Sequence, residues 1–285
     1  IDNVGITGSH YVGFSMMGEH AFMPPEKYDT NQYISDHLTW LNKGLGLDFS
    51  EITIHEDAWA GGGNLGPSME FFSRGLELSN QVYMQYETLP NGTFKDLKIK
   101  VLDMGQGQER VSWFTSGAPT SYETTFPAVL KKLRKMTDVQ LDMEMMGKFM
   151  QYAAWLNVDE VADIEATWIR VAKEVGMTVA ELRSKIQENA ALYSVAEHSR
   201  ALLVALNDGA LFSNVGGGYN LRVVYRRAVD LAAKYGWKIS LPDICSWHAA
   251  ELKKFYPELS EDLENVRKIL DVEKSKYDAS RQKTA

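Results

Sequence analysis

The sequence has very little cysteine and no long apolar run, and both absences narrow what the protein can be. Cys245 is the single cysteine among 285 residues. An internal disulfide and a cysteine-cluster zinc site within this chain are therefore excluded, and a reducing compartment, the cytoplasm, is expected. No stretch of about 18 apolar residues is present, so no membrane-spanning helix is predicted. The N-terminus carries no basic stretch followed by an apolar core, so no secretion signal is visible.

An excess of positive charge is also lacking. The formal net charge of −8 argues against general affinity for nucleic acid, so any RNA contact must come from local basic patches. A hydrophobic content of 45% with 24% charged residues is ordinary for a globular protein, and the length is enough for two domains. Because the chain starts at Ile1 without methionine, we interpret it as a segment of a longer protein.

Apolar periodicity predicts strands in the first part of the chain and only helices after Trp113. The glycine-rich segment 60–67 is predicted to be a loop, Pro90–Gly92 a turn, and the polar end after residue 277 frayed. Strands are predicted at 10–23, 52–54, 69–72, 76–86 and 97–102, and helices at 30–45, 127–137, 142–155, 158–175, 179–206, 219–235, 241–255 and 259–277.

The segment 101–113 indicates a strand end, a glycine turn and the start of a helix. Gly105 and Gly107 let the backbone come close to a ligand. Arg110 lies in the first helical turn, where the helix dipole disfavours a cation, so it is a candidate for binding an anion or stacking on a ring. A dinucleotide-binding interpretation is rejected because Arg110 replaces the third glycine and no acid-bearing strand follows. A simple glycine-rich connection remains the alternative.

The motif Gly-Gln-Gly-Gln-Glu-Arg (105–110) resembles the third signature motif of the class II aminoacyl-tRNA synthetases. Other segments narrow the resemblance to the archaeal type of alanyl-tRNA synthetase, and they occur in the same order as in that family. These segments are 2–5, 7–8, 14–22, 59–67, 76–85 and 102–105, with 213–222 and 226–228 resembling the helical domain that follows the catalytic core.

The resemblance implies an α+β fold, in which an antiparallel sheet flanked by helices is followed by an all-α domain. Residues 1–137 would form an N-terminally incomplete, adenylate-forming catalytic domain. Residues 138–285 would form a helical domain that recognises the tRNA acceptor stem. The implied reaction is ATP-dependent activation of L-alanine to alanyl-adenylate, followed by transfer to the 3′ terminal adenosine of tRNA(Ala).

For ATP, the resemblance implies that Phe14 and Arg110 sandwich the adenine, that Glu77 holds ATP-bound Mg2+, and that His10 contacts phosphate. From the residues alone, core packing of Phe14 remains open. Glu70 is a second candidate for the Mg2+ ligand. If one unbroken strand carried both carboxylates, their spacing of seven would place them on opposite faces.

For alanine, the resemblance implies that Asp103 binds the ammonium group. On spacing alone, a turn-capping role for Asp103 stays open. A small pocket discriminates weakly, since one methylene is worth about 1–3 kcal/mol, so glycine and serine are expected to enter it. The other implied pocket residues are Trp59, Asn80, Val82 and Gly105.

For tRNA, the resemblance implies that Asn214 reads the acceptor-stem G·U pair. Arg222, Arg226 and Arg227 form a basic stripe at helical spacing, for which a solvated helix face is the alternative. The remaining histidines are interpreted as structural: His20, His37, His55, His198 and His248.

Two departures from the family pattern bear on activity. Ser9 stands where the family has arginine, and Ser15 where it has glutamate. The arginine that binds the α-phosphate in this family is expected upstream of Ile1. The segment alone would therefore be a poor catalyst. The alternatives are therefore a catalytically decayed binding module, or an enzyme that activates an amino acid for an acceptor other than tRNA.

Overall fold

The computed structural model describes residues 1–284, which divide into two compact units. The sheet unit is Phe14–Gly117, and the helical unit is Ile1–Gly13 together with the chain from Ala118 onward. This division by contacts differs from the predicted boundary between residues 137 and 138, because residues 118–137 and the first 13 residues pack with the later helices. The functional division at that boundary stays a prediction.

The sheet unit is built on one five-stranded antiparallel sheet in the order β1-β5-β4-β3-β2. Consecutive strands from β2 to β5 are neighbours, and β1 pairs with β5 at one edge. This architecture confirms the α+β prediction. The strands are β1 Met16–Met23, β2 Thr53–Gly61, β3 Asn64–Ser73, β4 Leu76–Thr88 and β5 Phe94–Gly107.

Helix α1 (Thr30–Thr39) and the π-helical turn Trp40–Gly44 that continues it belong to the sheet unit, as does α2 (Gln108–Ser116). The Asp29 side chain caps α1 by accepting hydrogen bonds from the first-turn N–H groups. The small core of this unit has four fully buried members, which join the segment after α1 to the middle strands: Leu41, Leu47, Phe71 and Leu78.

Two sequence predictions about glycines are wrong, for the same reason. The segment 60–67 is a hairpin rather than a loop, since only Gly62 and Gly63 lie between β2 and β3, with φ of 60° and 85°. A two-residue turn requires residues that adopt positive φ, and the other glycines nearby lie in paired strands. Likewise, Gly105 and Gly107 are part of β5, and α2 begins directly after it. The strand predicted from residue 10 starts only at Met16.

In the part of the chain that the structure describes, no strand follows β5, as predicted. The helix predicted at 158–175 begins later, where Asp163 caps it. The end predicted to fray is helical through Thr284. The helices are α3 Ser121–Thr125, α4 Pro127–Thr137, α5 Met143–Met150, α6 Ile164–Val175, α7 Val179–Asn207, α8 Gly216–Lys234, α9 Leu241–Leu252 and α10 Leu263–Thr284.

The central helix of the helical unit is α7, which a capping box of Thr178 and Glu181 starts. The N-terminal segment lies against this helix. A Cβ on Gly5 would stand 2.3 Å from the Ala190 carbonyl oxygen, and the buried Glu197 carboxylate accepts hydrogen bonds from the N–H groups of residues 12 and 13 at 2.6 and 2.9 Å.

Among the described residues, none of the helices combines the length and hydropathy that a membrane crossing requires.

Candidate functional site

Strand register places most of the predicted site residues of the sheet unit on one face. Directly opposed residues of antiparallel strands share a face, so each row of partners can be followed across the sheet. We call this side of the sheet the site face. One row is Gly18, Gly105, Asn80, Glu70 and His55, and the next is His20, Asp103, Val82, Ser68 and Asp57.

Asp103 projects from β5 on the site face, where one carboxylate oxygen lies 3.0 Å from His20 Nδ1. The two side chains are 43% and 51% exposed, so a ligand can reach them. The His20 ring folds back over β1 into space that only glycine leaves, since a Cβ on Gly18 would lie 2.4 Å from His20 Nε2. Asp103 is therefore an accessible anion beside an imidazole, and its place within β5 removes the turn-capping alternative.

Arg110 reaches the same face from α2. Its aliphatic stem lies over Gly107, with Cγ and Cδ 3.6 Å from the position of a Cβ there. Between Gly107 and Asp103 lies Gly105, whose missing side chain leaves room that the flexible Met16 thioether borders at 3.1 Å. The carboxylate and the guanidinium thus lie along one strand face, and the two glycines between them present no side chain to a ligand.

Glu77 forms an ion pair with Arg110, with Oε2 2.8 Å from Nη1. A β-bulge places it there. The ladder pairs Phe71 with Ser79 but Phe72 with Glu77, so Leu78 is an extra residue and the side-chain alternation shifts by one. Glu77 consequently shares the site face with Glu70, which lies on β3. The condition for opposite faces, one unbroken strand, is not met, because the Arg74–Gly75 turn and the bulge separate the two glutamates.

The remaining predicted pocket residues surround Asp103 and Gly105. Val82 is opposite Asp103 and Asn80 opposite Gly105, and the half-buried Asn80 leaves its Oδ1 buried without a hydrogen-bond partner among the described residues. Trp59 follows on the same side of β2, and its ring covers Gly61. The site face therefore combines an accessible carboxylate, an apolar wall, an amide acceptor and a guanidinium.

A cleft of about 360 Å³ opens on the opposite side of the sheet. It is lined by Glu19, Asp36, His37 and Trp40 among others. Burial and then the nearby Asp36 carboxylate raise the pKa of Glu19, and burial lowers the pKa of His37 to about 4. Because strand alternation directs Asp103 away from this side, the cleft is separate from the predicted site.

Two predicted ATP contacts lie at or before the start of β1. Phe14 is 54% exposed, so it is not a core residue as the alternative supposed. His10 belongs to the helical unit, where Nδ1 is hydrogen-bonded to the Thr7 hydroxyl and its carbonyl accepts from Tyr122 Oη at 2.6 Å.

The predicted tRNA-binding arginines of α8 each have a partner in the helical unit. Arg222 donates to Glu273 and to Asn214, Arg226 lies over the Tyr277 ring at 5.4 Å, and Arg227 Nη1 is 2.8 Å from Asp2 Oδ1. Asn214 is exposed in the turn before the helix. The basic stripe stays a prediction.

Sequence reasoning missed two histidines of the site face. His20 contacts Asp103, and His55 Nδ1 lies 2.8 Å from Glu70 Oε2, which is the main cause of the raised pKa of His55. Both contacts join residues that face each other across strands. These contacts depend on the strand register, which pairs residues up to 83 positions apart in the sequence. No local sequence pattern predicts them, because the strand order has to be known first.

Comparison with known proteins agrees with the motifs. Residues 1–283 match the sequence model of the family described as tRNA synthetases class II (A). The alanine–tRNA ligase of Methanocella arvoryzae is 49% identical, over 100% of this chain and 33% of that protein. The ligase of Methanothermobacter thermautotrophicus is 37% identical over 97% of this chain and 31% of that protein, and the ligase of Nitrosopumilus maritimus is 35% identical over 99% and 31%.

The chain thus spans about one third of the length of these relatives. The family match extends over both the sheet unit and the helical unit, and the five-stranded antiparallel sheet agrees with it. The resemblance inferred from the motifs is confirmed, and the chain belongs to the family of class II (A) tRNA synthetases.

Proposed function

We propose that this chain is the adenylate-forming core and the acceptor-stem-binding part of an alanine–tRNA ligase. The observation that carries the proposal is the arrangement along β5, where Asp103 and the stem of Arg110 share one face and two glycines lie between them. An amino-acid adenylate has an ammonium group at one end and a purine at the other. The arrangement offers a carboxylate to the first and a planar cation to the second.

Alanine binds with its ammonium group at Asp103 and its methyl group toward Val82 and Trp59. Gly105 leaves space for the substrate where a side chain would project from β5. Asn80 offers its buried amide oxygen to a donor of the ligand, which would satisfy an otherwise unpaired acceptor.

Adenine stacks on the guanidinium of Arg110, which Glu77 holds from the start of β4, and Phe14 covers its other face. His10 contacts phosphate. With both substrates held, the alanine carboxylate attacks the α-phosphorus in line, and no covalent enzyme intermediate is needed.

Divalent metal accompanies ATP in this family, and the oxygen donors present fit Mg2+. Glu77 and Glu70 share the site face, and Mg2+ prefers carboxylate oxygens as ligands. When bound, Mg2+ would offset the charge of the phosphates. Glu77 remains our preferred ligand, although its pairing with Arg110 means that the carboxylate would serve both groups.

The helical unit is proposed to bind the tRNA(Ala) acceptor stem through Asn214 and the basic stripe of α8, in which Arg226 and Arg227 are the candidates for direct contact and Arg222 lies beside Asn214. The division into a catalytic domain at 1–137 and a tRNA-recognition domain at 138–285 belongs to the same proposal, as does a cytoplasmic location.

The test is alanine-dependent pyrophosphate exchange by the full-length protein and its Asp103→Asn variant. The variant loses a hydrogen bond between two charged groups, which contributes about 1.5–3 kcal/mol. The KM for alanine is therefore expected to rise about 10- to 150-fold. The KM for ATP should change much less. Asp36→Asn, on the opposite side of the sheet, is the matched control. Glycine and serine should also support exchange.

Absence of exchange with any amino acid in the wild-type protein would contradict the proposal and favour a decayed binding module. Exchange without charging of a tRNA(Ala) minihelix would favour a different acceptor. An unchanged KM for alanine in Asp103→Asn would refute the role of that residue.

A further inference from the structure

Arg222 donates four hydrogen bonds within the helical unit. Its Nε and Nη2 donate to the two carboxylate oxygens of Glu273, at 2.6 and 3.0 Å. Its Nη1 donates to the Ser213 carbonyl at 3.0 Å and to Asn214 Oδ1. One guanidinium therefore joins α10 to the turn that carries Asn214.

The buried end of this arrangement is fixed. The side chains of Arg222 and Glu273 are 12% and 2% exposed, and a two-point contact between a guanidinium and a carboxylate defines the plane of both groups. The pairing with Glu273 raises the pKa of Arg222, so the cation stays charged. An arginine held in this way has little freedom to reach an RNA phosphate.

The turn itself is also packed closely. A Cβ on Gly218 would lie 2.4 Å from the Leu211 carbonyl oxygen and 2.5 Å from Ser213 Oγ, so only glycine at this position lets α8 approach the turn. The Ser213 hydroxyl donates to the Val215 carbonyl at 2.6 Å. The backbone on both sides of Asn214 is thus restrained.

The chemistry of the pair determines how Asn214 is presented. A guanidinium has donors and no acceptor, so the amide must turn its oxygen toward Arg222. The Nδ2 group, which carries two donors, then points away from Arg222, and the side chain is exposed. Among the described residues, Nδ2 makes no hydrogen bond of its own. The exposed face of the turn therefore offers a donor to an acceptor atom.

We propose that Arg222, anchored by Glu273, is a positioning residue that orients the Asn214 amide toward the acceptor stem, and that it does not bind phosphate directly. The proposal rests on the proposed function, since it assigns Arg222 a place in the recognition of the G·U pair. The amide NH2 group donates to an acceptor on a base edge or a ribose hydroxyl in the shallow groove of A-form RNA.

The test measures charging of two minihelices, one with the G·U pair and one with G·C, by the full-length protein. The variants are Arg222→Lys, Asn214→Ala and the double variant, each normalised to its own pyrophosphate-exchange rate. Lysine keeps the charge that a phosphate contact needs, but it cannot form the two-point contact and reach the amide as well. Arg267→Lys, in an exposed ion pair with Asp243, is the matched control.

If Arg222 acts through Asn214, Arg222→Lys should lower the G·U over G·C preference about tenfold or more, as Asn214→Ala does. The double variant should then show no further loss, because the two residues form one unit. An unchanged preference in Arg222→Lys, or losses that multiply in the double variant, would overturn the positioning role. If Arg222→Lys does not fold, Glu273→Gln replaces it, since it keeps the shape and removes the anchoring charge.

The same measurements separate this inference from the proposed function. A wild-type protein that charges neither minihelix contradicts the ligase proposal itself. A wild-type protein that prefers G·U, with a preference that Arg222→Lys leaves intact, contradicts only the role of Arg222.

Discussion

Glu109 is expected to control the geometry of Phe14 and Arg110, the residues proposed to bind adenine, without contacting the substrate. Its side chain is buried, at 6% exposure, and both carboxylate oxygens accept from the Ser15 N–H, at 3.0 and 3.1 Å. The Gln108 N–H returns a bond to the Ser15 carbonyl at 3.0 Å. Ser15, which follows Phe14, is therefore hydrogen-bonded to Glu109, which precedes Arg110.

Replacing this carboxylate should weaken the connection between Ser15 and the start of α2 by an amount that can be calculated. A hydrogen bond to a charged group contributes about 1.5–3 kcal/mol, which corresponds to about 10- to 150-fold in an equilibrium or rate. Glu109→Ala removes the acceptor entirely and should approach that loss in kcat/KM for ATP. Glu109→Gln keeps one acceptor oxygen without the charge, so a smaller loss is expected.

The assay is ATP-dependent pyrophosphate exchange by the full-length protein, with Glu87→Ala as the control. Glu87 pairs with Lys95 on the exposed end of the sheet, where an ion pair contributes little. The KM for alanine should change much less than the KM for ATP. Wild-type kcat/KM in Glu109→Ala, or equal losses for both substrates, would refute the reasoning.

The further predictions concern stability. Burial lowers the pKa of His37 from 6.5 to about 4, which means that the folded state favours the neutral imidazole. The contribution of His37 to the free energy of unfolding is therefore fully present above pH 6.5. It should fall by about 3 kcal/mol between pH 6.5 and 4, and a His37→Gln variant that shows the same acid dependence in urea unfolding would contradict this assignment. Gly66→Ala would place a Cβ 1.8 Å from the Tyr83 carbonyl oxygen and should cost about 1–3 kcal/mol or more. Gly147→Ala, which meets nothing within 4 Å in α5, should stabilise by about 0.5–1 kcal/mol, and equal unfolding temperatures for the two variants would refute the steric argument.

Local sequence signals located most of the secondary structure. Helix α4 begins and ends where the periodicity predicts, because Pro127 favours the first helical position and Asp138 adopts the left-handed conformation that ends the helix. The signals failed where one residue type serves two structures. Glycine occurs both in turns and in strands, so 60–67 and 105–107 were predicted as connections although most of these residues are paired in strands.

The sequence by itself determined the class of the fold, the order of strands before helices and the family, since each depends on local periodicity or on a motif read along the chain. Which groups meet was decided only by the tertiary structure. The contact of His20 with Asp103 depends on the pairing of β1 with β5, and the contact of Glu77 with Arg110 depends on a bulge. The physical reason is that side-chain direction in a sheet alternates with a period of two, so one extra residue reverses the face, and neither a bulge nor a long-range register leaves a local mark in the sequence.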